Sequence, residues 1–280
     1  MNSAVEFITV DWDERPVNIE YQWIEGDNPS TPLMIFLHEG LGSLAMWKDF
    51  PAQLCRAAGC RGLVFSRPGY GQSSARAPGE TWDTDFMHRQ AYALLPALLE
   101  GLEIDASSNP PWLFGHSDGG SIALLYAARF PEQVSGIIVL SPHIMVEDIT
   151  ITSIEQARGI YLETDLKQKL GRYHADPDSA FWGWNDIWLH APFREWSIEK
   201  EIENIRCPVL AVQGLDDEYG TLEQIHGIAR RVAQPMVIEM ANCGHSPQRD
   251  QADELFHRVT RFIGDSSKVT KFIAVASAAE

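Results

Sequence analysis

Paired cysteines, long apolar runs and an excess of positive charge are all missing from this sequence of 280 residues, and each absence removes a class of protein. The four cysteines, Cys55, Cys60, Cys207 and Cys243, form no C-x-x-C pair and show no Cys/His spacing suited to zinc. They read as free thiols of a reducing compartment. No stretch approaches the roughly 20 apolar residues that span a bilayer. The opening MNSAVEFITVDWDERP has no basic segment ahead of an apolar one, so neither leader nor membrane anchor is expected. These features together suggest a cytoplasmic protein. Only 22 basic residues face 39 acidic ones, a net charge of −17. That excess repels phosphate backbones and anionic membranes, which argues against nucleic acid and membrane as partners. There is no P-loop and no G-x-G-x-x-G fingerprint, hence no expectation of a nucleotide cofactor. No internal repeat or low-complexity tract is visible.

What is present is ordinary globular composition, 45% apolar and 22% charged, in a chain long enough to bury a core without staples. Alternating segments around Phe7–Trp12 and Val17–Ile24 predict an antiparallel hairpin bent at Asp-Glu-Arg-Pro. Runs at Pro32–Leu37, Gly62–Ser66, Trp112–Phe114 and Val209–Gln213 read as buried strands, and Val134–Leu140 and Met236–Met240 as further strands. Helical spacing covers Met46–Ala58, Asp83–Leu102 (kinked near Pro96), Gly120–Arg129 and Gln251–Ile263. Strand and helix alternate, so the expected fold class is α/β, a mostly parallel doubly wound sheet. Residues 143–204 break the alternation: they hold no buried strand and many aromatics, and read as an inserted helical cap. The core is then 1–142 with 205–264, and the tail 265–280 is expected to be poorly ordered.

The most informative local pattern is Gly115-His116-Ser117-Asp118-Gly119. A serine hydroxyl stands clear of its own backbone only on a sharp turn, and the flanking glycines permit one. An apolar strand precedes this turn and an Ala/Leu helix follows it. Serine needs a positioned base. His245, in Asn242-Cys-Gly-His-Ser-Pro just beyond the last strand, sits where reacting groups gather in such a sheet. The base needs an acid to fix its tautomer, and Asp216 and Asp217 follow the strand Val209–Gln213. Asp217, three residues beyond Gly214, is the expected partner, and Asp216 a turn-former or helix cap. His174-Ala-Asp-Pro-Asp178 has ligand-type residues, but a helix-starting loop accounts for it. No metal site and no cofactor are expected.

These motifs, with His38-Glu-Gly-Leu-Gly42 and Ser66-Arg-Pro-Gly-Tyr-Gly-Gln-Ser73, resemble the α/β-hydrolase superfamily across nearly the whole chain. The nearer likeness is to capped, cofactor-free bacterial members: meta-cleavage product hydrolases, enol-lactonases and esterases. The resemblance implies a triad of Ser117, Asp217 and His245 and an oxyanion hole from the backbone N–H groups of Gly40 and Asp118. It implies hydrolysis of a small-molecule ester, thioester or lactone, with carbon–carbon bond hydrolysis and a ligand-binding receptor as alternatives. Two departures stand out. Glu39 occupies a position that is usually glycine, and Ser66 one that is often aspartate. Glu39 is expected to point away from the hole in a structural hydrogen bond, or else to contact substrate or water. In the cap, Phe181, Trp184 and Trp188 share one helical face. They either pack the cap onto the core or form an apolar wall suited to an aromatic acyl group, with Trp184 and Trp188 as substrate contacts. Acyl group, leaving group and oligomeric state are not legible.

Overall fold

The computed structural model describes residues 3–26 and 31–277, with side chains as far as Ser266. Strands β1 (Glu6–Trp12) and β2 (Arg15–Ile24) form the antiparallel hairpin. Its bend is tighter than expected. Asp13 and Glu14 alone make it, both at φ 58°, the mirror-image turn whose twist suits a hairpin. Arg15 and Pro16 already belong to β2.

Strands β3 (Leu33–Leu37), β4 (Arg61–Phe65), β5 (Trp112–His116), β6 (Gly136–Leu140), β7 (Val209–Gly214) and β8 (Pro235–Met240) complete an eight-stranded sheet. Its order is β1-β2-β4-β3-β5-β6-β7-β8, with every pair from β4 to β8 parallel. All residues of β3, β5, β6 and β7 are buried, which is why these strands read as unbroken apolar runs: both faces are covered.

The helices are α1 (Phe50–Ala58), α2 (Phe86–Arg89), α3 (Leu95–Gly101), α4 (Asp118–Arg129), α5 (Asp148–Glu163), α6 (Leu166–Leu170), α7 (Pro177–Trp188), α8 (Glu223–Arg231), α9 (Pro247–Asp250) and α10 (Ala252–Ser277). Successive strand residues point to opposite faces. Ile35, Leu113 and Val139 accordingly enter one core with Leu124 of α4 and Ile225 of α8. Phe36, Phe114 and Ile138 enter a second core with Leu54 of α1 and Val259 of α10.

Three helices differ from the sequence reading. The one expected over Met46–Ala58 is split, because Lys48 takes φ 53° and Pro51 starts α1 afresh. The one expected over Asp83–Leu102 is divided by a wide π turn at Gln90–Leu94, directly before Pro96. Proline has no N–H to close a normal turn, and the wider turn accommodates the loss. The last helix continues through Gly264 to Ser277, aided by an Arg261–Asp265 ion pair one turn apart. The tail expected to be poorly ordered therefore carries helical backbone as far as Ser277; 278–280 lie outside the described residues.

Between β6 and β7 the chain forms α5, α6, α7 and short 3₁₀ turns, with a single bridge, Met145 to Ser197, as its extended pairing. Asp176 caps α7 by accepting from Ser179 N–H at 2.9 Å, and Pro177 opens its first turn.

Candidate active site

Ser117 sits between β5 and α4 at φ 51° and ψ −120°, a strained conformation for a residue with a side chain. The turn survives because its neighbours are glycines. A Cβ on Gly115 would meet Gly119 O at 2.3 Å, and one on Gly119 would meet Leu37 O at 2.1 Å. The hydroxyl reaches a cavity of about 100 Å³ that is also lined by Gly40, Asp118, His143, Trp184 and His245.

Of the two aspartates after β7, Asp217 is the one that meets the histidine. His245 Nδ1 donates to Asp217 Oδ1 at 2.8 Å, and Tyr219 N–H donates to the same oxygen at 2.9 Å. Burial pushes the Asp217 carboxyl up, but the bond and charge of His245 outweigh it and hold the pKa below the usual aspartate value. Asp216 is exposed and uses its own N–H to bind Cys243 O. No direct hydrogen bond joins Ser117 to His245; the two side chains face the same cavity, and such contacts commonly tighten when substrate binds.

The glycine loop after β3 is fixed through one carbonyl. Glu39 O accepts from Arg67 Nη2 at 2.8 Å, His38 Nδ1 at 2.7 Å and Gly42 N–H at 3.0 Å. In a trans peptide the N–H points opposite to the C=O, so three donors on Glu39 O set the direction of the Gly40 N–H. His38 is a neutral ring here. Burial, then the Arg67 charge, push its pKa well below the usual value, and its Nε2 accepts from Arg67 N–H at 3.0 Å. Trp184 closes over Gly40 so tightly that a Cβ there would lie 2.2 Å from the indole.

The Glu39 carboxylate turns towards His116, with Oε2 3.3 Å from Nδ1, while also bordering the cavity. Burial alone would raise its pKa, yet the hydrogen bond and charge of His116 bring it down to about 2. The Asp118 carboxyl lies wholly inside the protein, 3.9 Å from Arg67 and bonded to Trp188 Nε1 at 3.2 Å. Burial pushes its pKa up, and Arg67 and Trp188 offset only part of that. Ser66, in place of the more usual aspartate, donates to the buried carboxylate of Glu20 and accepts from Leu44 N–H at 2.8 Å.

The aromatic stripe divides. Phe181 stacks on Tyr161 at a centroid distance of 3.7 Å, inside the insertion. Trp184 and Trp188 border the cavity. The sequence reading overlooked His143, which follows β6 and lines the cavity with Ser117 and His245. A signal for it existed: like His245, it lies just past the carboxyl end of a parallel strand, where ligands bind in open α/β sheets. A larger and more open depression of about 730 Å³ lies at the far end of α4, around Tyr92, Arg129 and Glu201. It contains no serine, histidine or cysteine. Among the described residues no cluster of three His, Cys, Asp or Glu side chains could hold a metal, and no helix is long and apolar enough to cross a membrane.

Comparison with known proteins gives a consistent set of likenesses. The model of the alpha/beta hydrolase family matches residues 34–258. The sn-1-specific diacylglycerol lipase ABHD11 of Mus musculus is 24% identical, over 90% of this chain and 87% of its own. The 2-hydroxy-6-oxo-6-phenylhexa-2,4-dienoate hydrolase of Burkholderia cepacia is 23% identical, over 81% and 85%. Among solved structures, the enol-lactonase from Burkholderia xenovorans LB400 superposes with a TM-score of 0.71 at 17% identity, covering 92% of this chain and all of that one (100%).

Proposed function

We propose that this chain, which belongs to the alpha/beta hydrolase family, is a serine hydrolase that cleaves a small carboxylic ester, thioester or lactone through an acyl-enzyme. The observation that carries this reading is the convergence of Ser117 and the His245–Asp217 pair on one cavity. Ser117 Oγ attacks the acyl carbonyl and His245 takes its proton. Asp217 holds the imidazole in the required tautomer and stabilises the cation that forms. The N–H groups of Gly40 and Asp118 receive the developing oxyanion, the first already aimed by the locked Glu39 carbonyl. His245 then protonates the leaving group and activates water to release the acid.

The cavity size favours a short acyl group over an aromatic one. A cavity of roughly 150 Å³ holds benzene, and this one is about 100 Å³. Carbon–carbon bond hydrolysis is the second reading, favoured by the 23% likeness to the Burkholderia cepacia hydrolase. A fluorophosphonate probe tests the main proposal. It should label Ser117 in the wild type and leave Ser117→Ala unlabelled, and the wild type should release more than one equivalent of acid from short esters. Unchanged ester turnover in a folded Ser117→Ala variant would overturn it.

A further inference from the structure

His143 is 2% exposed and one edge of its ring, Nδ1, is buried without a partner. Neither ring nitrogen makes a hydrogen bond to any described residue, although its backbone is held on both sides. Ser121 Oγ donates to His143 O at 2.6 Å, and His143 N–H lies 3.2 Å from the same hydroxyl. The next residue is tied down as well, with Ile144 N–H donating to Gln224 Oε1 at 2.7 Å. The residue lies just past the end of β6 and lines the cavity, its ring 5.8 Å from that of His245 and 4.9 Å from that of Trp188. A buried polar group left unpaired is destabilising, and such groups in native proteins call for an explanation.

We infer that His143 is a substrate-recognition residue that hydrogen-bonds a neutral hydroxyl or oxo group on the acyl part of the substrate, making short hydroxy- or oxo-acyl esters the preferred substrates. The inference rests on the proposed role of Ser117 and deepens it. Three observations narrow the ligand chemistry. The pocket of about 100 Å³ suits a short acyl group, and His143 is one of its lining residues together with Ser117. Burial, then the nearby His245, push the His143 pKa down to about 3, so the ring is a neutral donor or acceptor and not a counter-ion. Glu39 is among the residues lining the same cavity and the chain carries a net charge of −17, which disfavours an acid on the acyl group. A neutral oxygen satisfies all three.

The test compares methyl butyrate with methyl 2-hydroxybutyrate and 3-hydroxybutyrate, following acid release by wild type, His143→Phe and His143→Gln. At least one hydroxy ester should exceed butyrate in kcat/KM by roughly tenfold, about the worth of one net hydrogen bond. In His143→Phe that ratio should fall to about one, while His143→Gln, which keeps a donor and an acceptor, should retain part of it. Melting curves identify any variant that does not fold, and the wild-type ratio stands independently of them. A wild-type ratio at or below one, or an unchanged ratio in folded His143→Phe, would overturn the inference and reduce His143 to a partner for trapped water. Failure of the fluorophosphonate to label Ser117 in the wild type would instead overturn the parent proposal, whatever the ratios.

Discussion

His116 Nε2 donates to the backbone carbonyl of His245 at 2.7 Å, tying the residue before the proposed nucleophile to the loop that carries the proposed base. The other ring nitrogen faces Glu39, so a carboxylate from the glycine loop, the turn at Ser117 and the loop of His245 meet at one imidazole. The glutamate at a usually glycine position therefore has a structural employment beside the cavity.

That employment has a pH signature. The Glu39 pKa is held at about 2 in the folded protein, against about 4.3 in an unfolded chain. A depressed acid contributes stability above its unfolded pKa and loses it as pH falls through the folded value. Discounting for partial exposure of the side chain, the contribution near neutrality is on the order of 2 kcal/mol. Glu39→Gln should thus be less stable than wild type at pH 7. The gap should narrow steadily below about pH 4.5 and nearly close towards pH 2. Urea titrations of both proteins at pH 3 and pH 7 measure it, and a gap of the same size at both values would remove the argument.

The two neighbouring aspartates should separate cleanly. Asp217 accepts from His245 Nδ1, whereas the Asp216 side chain is exposed. Asn at 217 presents an amide N–H to the imidazole or reverses its tautomer, and should lower kcat by up to about 10⁴-fold. Asn at 216 should cost less than about tenfold, since it disturbs only an exposed turn. A larger loss at 216 would mean that another conformation carries the reaction.

The sheet was legible because burial on both faces writes itself as continuous apolar runs, as in Leu33–Leu37 and Gly136–Leu140. The turn at Ser117 was legible because its glycines are steric necessities: Gly119 lies where a Cβ would strike Leu37 O. Other features depend on contacts distant in sequence. Nothing near Glu39 announces that its carbonyl collects donors from His38, Gly42 and Arg67. His143 carries no motif, only a position after a strand. The split at Lys48 of the helix expected over Met46–Ala58 follows from a left-handed residue that is not glycine, which composition does not reveal. The aromatic stripe could not be apportioned from its spacing, since Phe181 and Trp184 are neighbours on a helix and differ only in what the fold sets against them.

Two glycine substitutions should have opposite effects. A methyl at Gly119 would sit 2.1 Å from a backbone oxygen of β3, so Gly119→Ala must displace the sheet or the helix start and should destabilise by several kcal/mol. Gly159 lies inside α5, with nothing within 4 Å of its would-be Cβ. There alanine gains helix propensity, and Gly159→Ala should stabilise by about 0.5–1 kcal/mol. Thermal melts of the two variants report both signs, and a destabilised Gly159→Ala would contradict the open surroundings of that position.

The insertion offers the sharpest contrast, between two aromatic residues three positions apart on α7. Phe181 is fully buried and stacked on Tyr161, and it stands behind Trp184, edge-on at 5.9 Å, without itself lining the cavity. Its truncation to alanine should cost about 3–5 kcal/mol and leave the relative rates on different esters unaltered. Trp184 borders the cavity and presses on Gly40. Its truncation also removes packing, but the space released adjoins Ser117. The sequence left open whether these tryptophans pack the cap onto the core or form an apolar wall for an aromatic acyl group. The pocket of about 100 Å³ is smaller than the roughly 150 Å³ that holds benzene, which places the Trp184 indole where it would limit a bulky acyl group. Trp184→Ala should therefore raise kcat/KM for benzoyl esters relative to acetyl esters by about tenfold or more, the scale at which pocket volume discriminates small apolar groups. Loss of the ring beside Gly40 should meanwhile lower the absolute rate on acetyl esters by loosening the glycine loop. Both esters are assayed on folded protein, with melts to correct for stability. An unchanged benzoyl-to-acetyl ratio in Trp184→Ala, or an equal shift in Phe181→Ala, would show that the indole packs the insertion without setting the size of the site.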